Sequence, residues 1–125
     1  QDISPPYIRM RNPVDIWAAA TVRGVEFGYR EGTEAVLRDP NIDAVVPVLM
    51  LTKEIGVPSF DFLLDLRARY PQKPILVGFS GDKDCMEQCK AYLEPRGMPT
   101  FSEIEYPFIA LSILVRCARA MARAR

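Results

Sequence analysis

The chain has 125 residues, of which 49% are hydrophobic and 26% charged. This composition suits one globular domain with an ordinary core and excludes a disordered or fibrous protein. Sixteen Lys and Arg balance sixteen Asp and Glu, so no net positive field attracts nucleic acid or an acidic membrane surface. Histidine is absent, which excludes imidazole bases, histidine-ligated metals and a phosphohistidine on this chain itself.

Residues 1–11 contain a proline pair and no hydrophobic periodicity, which predicts an arm or linker remnant before a domain over residues 12–125. Because the chain begins with Gln1 rather than Met, we expect a fragment of a larger protein. Residues 14–17 predict a short first strand. Thr21 can then cap a helix that runs to about Arg38.

The following elements alternate between strand and helix. Residues 44–51 form an apolar run typical of a strand covered on both faces, although Pro47 requires an edge position or a bulge. Further strands are predicted over residues 74–79 and 98–101, and further helices over residues 60–70, 84–94 and from Pro107 onward. The βαβαβαβα order predicts a three-layer, flavodoxin-like α/β fold. Its sheet should be mostly parallel, with about four strands and helices on both faces.

In such a fold ligands bind at the carboxyl ends of the strands. The segment Ser80-Gly81-Asp82 lies where a predicted strand turns into a helix, so backbone N–H groups and the helix dipole could hold an anion there. Ordinary turn and cap chemistry is the favoured alternative, because Asp82 and Asp84 would repel phosphate and there is no Walker lysine.

Two further polar residues follow predicted strands. Asp15 ends the first one, where a carboxylate either faces a ligand or caps the loop behind it, and both interpretations stay open. Lys53, after the second strand, either assists an anion or is solvated. On the next helix, Asp61, Asp65 and Arg69 are four residues apart, a spacing that predicts a solvent-facing ion-pair ladder.

Gly24, Gly28 and Gly32 form a stripe along one predicted helix, at a cost of about 1 kcal/mol each relative to alanine. The stripe indicates either tight packing on the sheet or contact with a partner. Cys85 and Cys89 lie on a buried helix face and predict core thiols rather than a metal site.

The cellular location follows from the cysteines and the apolar runs. Three cysteines, an odd number, favour a reducing cytoplasm. The longest apolar stretch, residues 107–115, is far below the roughly 20 residues that a membrane span requires. Four arginines and no acids occur from residue 107 to the C-terminus, a basic face that is either solvated or docked on an acidic partner.

Several segments together resemble one family: Asn-Pro-Val-Asp at residues 12–15, Ala-Val-Leu-Arg-Asp-Pro-Asn-Ile-Asp-Ala-Val at residues 35–45, Lys-Pro-Ile-Leu at residues 73–76, Tyr-Leu-Glu at residues 92–94 and Gly-Met-Pro-Thr-Phe at residues 97–101. Over about residues 12–120 the chain resembles the flavodoxin-like ligase-CoA domain of the NDP-forming acyl-CoA synthetases. This is the superfamily of succinyl-CoA synthetase and ADP-forming acetyl-CoA synthetase.

The resemblance implies a parent enzyme that makes acyl-CoA with ATP or GTP, through an acyl phosphate and a phosphohistidine on another domain. The parent would use CoA, ATP/ADP or GTP/GDP, and Mg. This chain alone is expected to bind no cofactor, to supply no catalytic residue or metal ligand, and to be inactive. The implied partners are CoA-binding, phosphohistidine-bearing and ATP-grasp domains or subunits, and a homodimer is also open.

The resemblance also implies a cleft facing those partners, close to the transferred phosphate. Its candidate residues are Asn12, Pro13, Asp15, Ser80, Gly81 and Asp82. The alternative to a synthetase domain is a free-standing, non-catalytic flavodoxin-like module for interaction or regulation.

Overall fold

A computed structural model describes residues 11–55 and 59–124, so residues 1–10 of the predicted arm lie outside the described residues. In chain order the helices and strands of these residues are α1 (Trp17–Arg23), α2 (Val25–Arg38), β1 (Val48–Leu51), α3 (Asp61–Arg69), β2 (Val77–Gly81), α4 (Lys83–Leu93), a 3₁₀ turn (Glu94–Arg96), β3 (Thr100–Phe101) and α5 (Glu105–Arg123).

The strands form one parallel sheet in the order β1-β2-β3. Val48 is paired with Gly78 at the start of β1, and Val77 is paired with Thr100 at the start of β3. The α/β class is therefore confirmed, with an architecture consistent with a flavodoxin-like fold. The described residues contain three strands rather than about four.

The missing strand is the first one, because the prediction of a strand over residues 14–17 is wrong. The Asp15 carboxylate accepts the N–H of Trp17 at 2.9 Å, and α1 begins at Trp17. This local hydrogen bond and the following alanines therefore outweigh the short apolar alternation.

The helix predicted over residues 21–38 is divided at Gly24. Gly24 has φ +96° and ψ 149°, which ends α1 and starts α2. Glycine adopts this positive φ without the penalty that a Cβ imposes. The chain reverses at this point, and α1 packs against α2 through the buried Ala19 and Ala20.

The strand predicted over residues 44–51 forms its regular ladder only from Val48 onward. An isolated parallel bridge between Val45 and Ile75 precedes the ladder. Pro47 stands between the two and contributes only its carbonyl, which accepts the N–H of Gly78 at 3.0 Å. A proline supplies no ladder donor, which accounts for the interruption.

One face of the sheet carries the core. Leu49 and Leu51 of β1 and Val77 and Phe79 of β2 are at most 1% exposed. They pack in one cluster with apolar side chains of α2, α3 and α4. The opposite face is less covered, since Met50 remains 43% exposed there.

Helix α5 begins at Glu105, two residues before the predicted start at Pro107. Pro107 is buried above Gly78, on the opposite face of the sheet from the core. No helix of the described residues combines the length and the apolar character needed to cross a bilayer.

Candidate functional site

The carboxyl ends of β1 and β2 meet at one edge of the sheet, as parallel pairing requires. The N–H of Asp82 donates to the Leu51 carbonyl at 2.8 Å. In return, the Asp82 carboxylate accepts the N–H of Lys53 at 2.8 Å. The loops that follow the two strands are thus tied together by reciprocal hydrogen bonds.

Gly81 makes this close approach possible. It is the last residue of β2, with φ +126°, and a Cβ built there would collide with the carbonyl of Leu51. Only a residue without a side chain fits both the backbone angle and the contact. Ser80, next to it, is partly buried and also belongs to the strand rather than to a turn.

Carboxylates dominate the electrostatics of this edge. Asp82 occupies the N-cap of α4 in an extended conformation, but its side chain caps no helix N–H and binds the β1 loop instead. Asp84 lies in the first helical turn, and its carboxylate is 3.8 Å from the Lys53 ammonium, with both side chains more than 70% exposed. The negative charges of the two acids interact favourably with the helix dipole. They would also repel a free phosphate at the N-terminus of α4.

The other predicted part of the cleft lies at the start of α1. Asn12 and Pro13 are exposed and joined by a cis peptide bond, and the Asp15 carboxylate binds Trp17 as described above. This geometry matches the capping interpretation of Asp15. Among the described hydrogen bonds and ion pairs, none joins residues 12–15 to residues 80–82, so their grouping in one cleft stays a prediction.

The glycine stripe is used within the chain. A Cβ on Gly28 would stand 3.1 Å from the Cβ of Ala20, and a Cβ on Gly32 would stand 2.5 Å from Ile16 Cγ2. These glycines therefore allow the close contact of α2 with α1 and the segment before it, rather than tight packing on the sheet. Contact of Gly24, Gly28 or Gly32 with a partner stays a prediction.

Sequence reasoning missed a buried carboxylate. Glu34 of α2 is only 7% exposed and accepts hydrogen bonds from Arg69 at 2.6 Å and from Arg38 at 2.7 Å. The Arg69 hydrogen bond is the largest cause of the lowered pKa of Glu34, with further contributions from Arg38, while burial acts in the opposite direction. The spacing of Glu34 and Arg38 was a usable signal, whereas Arg69 is 35 residues away.

The predicted ion-pair ladder on α3 forms in part. Arg69 pairs with Asp65 at 3.0 Å and joins it to the Glu34 cluster. Asp61 instead accepts a hydrogen bond from the Tyr92 hydroxyl of α4, which raises the pKa of Tyr92. These groups connect α2, α3 and α4.

An apolar groove of about 600 Å³ lies at the opposite end of the sheet, beside α5. Its wall includes Ile75 and Phe101 from the sheet side and Ile113 from α5. Both cationic side chains at its rim already donate hydrogen bonds to backbone carbonyls. Arg67 donates to the carbonyl of Arg96. The Lys73 ammonium donates to the carbonyls of Leu37 and Asp39. The groove therefore offers an apolar surface rather than an anion site.

The cysteines of α4 are core thiols, as predicted. Cys85 is 5% and Cys89 0% exposed, and burial raises the pKa of the Cys89 thiol to about 12. Cys117 on α5 is exposed. In the part of the chain that the structure describes, no group of three or more Cys, Asp or Glu side chains is arranged to hold a metal ion.

Comparison with curated proteins finds similarity to "Acetate--CoA ligase [ADP-forming] II" of Archaeoglobus fulgidus, with 27% identity over 104 residues. The aligned segment covers 82% of this chain but 15% of that protein. That protein is an ADP-forming acetate–CoA ligase, the kind of enzyme that the sequence segments resemble, and the match does not identify the domain. No family model and no solved structure matches the chain.

Proposed function

We propose that the chain is a domain of an NDP-forming acyl-CoA synthetase, an acid–thiol ligase whose complete active site needs further domains. The observation that carries this proposal is the 27% identity over 104 residues with the ADP-forming acetate–CoA ligase. The parallel α/β sheet supports it, because such sheets bind ligands at the carboxyl ends of their strands.

In the parent, acid, CoA and ATP or GTP are converted through an acyl phosphate and a phosphohistidine. Since this sequence contains no histidine, the phosphorylated group belongs to a partner domain. CoA, the nucleotide and Mg²⁺ are held by the complete protein. This chain contributes the loops after β1 and β2 and contacts with the CoA-binding, phosphohistidine-bearing and ATP-grasp domains.

The charges at the cleft edge suggest how such a loop would act. Asp82 and Asp84 oppose a free phosphate, so the phosphoryl group would arrive on the partner domain with its own neutralising groups. Backbone N–H groups at the start of α4 would then stabilise its charge in the assembled cleft. Asn12, Pro13 and Asp15 would line the same cleft from the other side.

Calorimetric titration tests this proposal. The chain is titrated with CoA, ADP and phosphate, first alone and then together with the histidine-bearing domain of its parent. We expect heat of binding only in the second case, because the cleft is assembled between domains. Absence of binding in both cases would contradict the proposal and favour a non-catalytic interaction module.

The role of the residues before α1 can be tested in the intact parent. We expect Asn12→Ala and Asp15→Asn to lower kcat by about 10²-fold or more, the scale of the loss when one preorganised hydrogen-bonding group is removed from an active site. Asn at position 15 can still accept the Trp17 N–H, so the start of α1 is retained. Both variants should keep the urea midpoint of the wild type.

Asp43→Ala is the matched control, because Asp43 is exposed on the amino side of β1, away from the predicted cleft. It should leave kcat unchanged. Unaltered turnover in the Asn12 and Asp15 variants would remove these residues from the cleft.

The second candidate, a free-standing module for interaction or regulation, is favoured by one observation. Helix α5 exposes a large apolar surface that nothing in the described residues covers. Such a surface is typical of a binding face and requires no catalytic residues.

A further inference from the structure

Helix α5 is apolar on most of its circumference, yet Pro107 is its one buried residue. Seven of its large apolar side chains are between 46% and 63% exposed: Tyr106, Phe108, Ile109, Ile113, Leu114, Val115 and Met121. The first turns lie against β2 and β3, whereas every residue from Ser112 to Ala124 is exposed. A soluble helix with this composition is normally covered on more than one side.

Two of these exposed side chains, together with the partly buried Leu111 and two exposed alanines, form a regular repeat. Phe108, Leu111, Val115, Ala118 and Ala122 follow one another at intervals of three, four, three and four residues. This is the spacing of the apolar positions in a two-stranded coiled coil. These five residues are called the α5 seam below. Ile104, 45% exposed, continues the seam by one step toward the N-terminus.

We propose that the α5 seam binds the α5 seam of a second copy of this chain, with the two helices antiparallel and a two-fold axis level with residue 113. In this register Phe108 lies opposite Ala118 of the second copy, and Leu111 lies opposite Val115. Ile104 lies opposite Ala122. In each of these pairs a larger side chain thus faces a smaller one, which allows the tight packing of two helices.

Charge complementarity selects the antiparallel arrangement. Glu105 and Arg119 lie on the same flank of the seam, eight residues before and six residues after the level of the axis, so the antiparallel register brings them within ~3 Å of each other along the helix. Antiparallel packing places Glu105 beside Arg119 of the second copy, and the two-fold axis repeats this pair. Within residues 11–55 and 59–124, neither side chain takes part in an ion pair or side-chain hydrogen bond, so both are available.

A parallel arrangement is disfavoured by the same residues. It would place the two Glu105 side chains on opposite flanks of the seam, and likewise the two Arg119 side chains, so no Glu105–Arg119 pair could form. It would also stack Phe108 on Phe108. The parallel orientation therefore lacks the favourable charge pairs of the antiparallel one. In the antiparallel dimer, the exposed C-terminal half of each α5 helix packs along the N-terminal half of the other, which lies against its own sheet.

The inference is independent of the proposed function and is tested on the 125-residue chain. Sedimentation equilibrium should give the wild type twice the 14.1 kDa chain mass at high micromolar concentration. Val115→Glu places a charge in the seam and should return the mass to 14.1 kDa. Because Val115 is 46% exposed, circular dichroism should show an unchanged fold.

Ile113→Glu is the matched control. Ile113 is 54% exposed, two residues away, and lies on the far side of the helix from the seam. This variant should remain dimeric. Equal dissociation of both variants, or a wild type that stays at 14.1 kDa, would overturn the proposal. A monomer that co-sediments with phosphatidylserine vesicles would assign the helix to a membrane surface instead.

A charge exchange tests the orientation. R119E should weaken the dimer by about tenfold, since two unlike pairs become two like pairs. The double variant E105R/R119E restores both pairs with reversed sign and should recover the wild-type dissociation constant. Failure of the double variant to recover it would refute the antiparallel register. Both positions are exposed, so neither change disturbs the core.

Discussion

Gly81 shows how one residue fixes the edge of the sheet. Its φ of +126° and its contact with the Leu51 carbonyl both exclude a side chain. We expect Gly81→Ala to lower the free energy of unfolding by about 2 to 3 kcal/mol, since a strained backbone and a displaced strand end are combined. Urea denaturation of the purified chain measures this loss.

Gly78→Ala provides the comparison within the same strand. A Cβ at Gly78 would meet Val48 Cγ2 at 3.5 Å and Pro107 Cγ at 3.6 Å, which are ordinary contacts, and its φ is not positive. We expect a change below about 1 kcal/mol. An equally large loss of unfolding free energy at both positions would show that β2 tolerates no added methyl group anywhere. The positive φ of Gly81 would then not be the cause.

At this edge of the sheet, the sequence predicted the end of the strand better than the contacts that its residues make. The apolar run followed by glycine and aspartate predicted a strand end at residue 79, and the strand continues two residues further, to Gly81. The partner of Asp82 could not be predicted, because Lys53 lies 29 residues earlier and binds through its backbone N–H. A long-range backbone contact leaves no trace in side-chain spacing.

Among the elements, those with strong periodicity were predicted within a few residues. The apolar runs before Leu51 and around Val77 became β1 and β2, and the helical spacing of Cys85, Cys89 and Leu93 became α4. These patterns hold because each element buries one defined face. The weak case was residues 14–17, too few for alternation to outweigh the cap at Asp15.

The division between α1 and α2 was missed for a different reason. The glycines at four-residue spacing fit one continuous stripe, whereas Gly24 breaks the helix and Gly28 and Gly32 accommodate the folded-back segment. A helical period cannot distinguish a glycine that ends a helix from one that admits a close neighbour. The spacing of the apolar residues of α5 likewise gave no indication that they are exposed.

Over the whole molecule the charges sum to zero, and some of them form ion pairs between parts of the chain that are distant in sequence. Glu34 connects Arg38 on its own helix with Arg69 on α3, and Arg69 in turn binds Asp65. The carboxylate is buried while the arginine side chains are 66% and 42% exposed. Water therefore screens part of each attraction, and the stability contributed is moderate.

The stability of the folded chain should consequently depend on pH through Glu34. Its pKa is lowered in the folded state from an ordinary value of 4.5, so the unfolded chain binds the proton more readily. The stabilisation is complete above about pH 4.5 and is lost as the pH falls through the lowered pKa. We expect Glu34→Gln to reduce the free energy of unfolding by about 1 to 2 kcal/mol at pH 7, and the difference from the wild type to shrink toward pH 3. Urea denaturation between pH 7 and pH 3 measures both effects.

Glu26→Gln is the control on the same helix, because Glu26 faces Arg30 at 3.7 Å with both side chains about half exposed. Its removal should lower the free energy of unfolding by less than about 0.5 kcal/mol. A difference between Glu34→Gln and the wild type that stayed constant with pH would show that the stabilisation does not arise from the Glu34 charge.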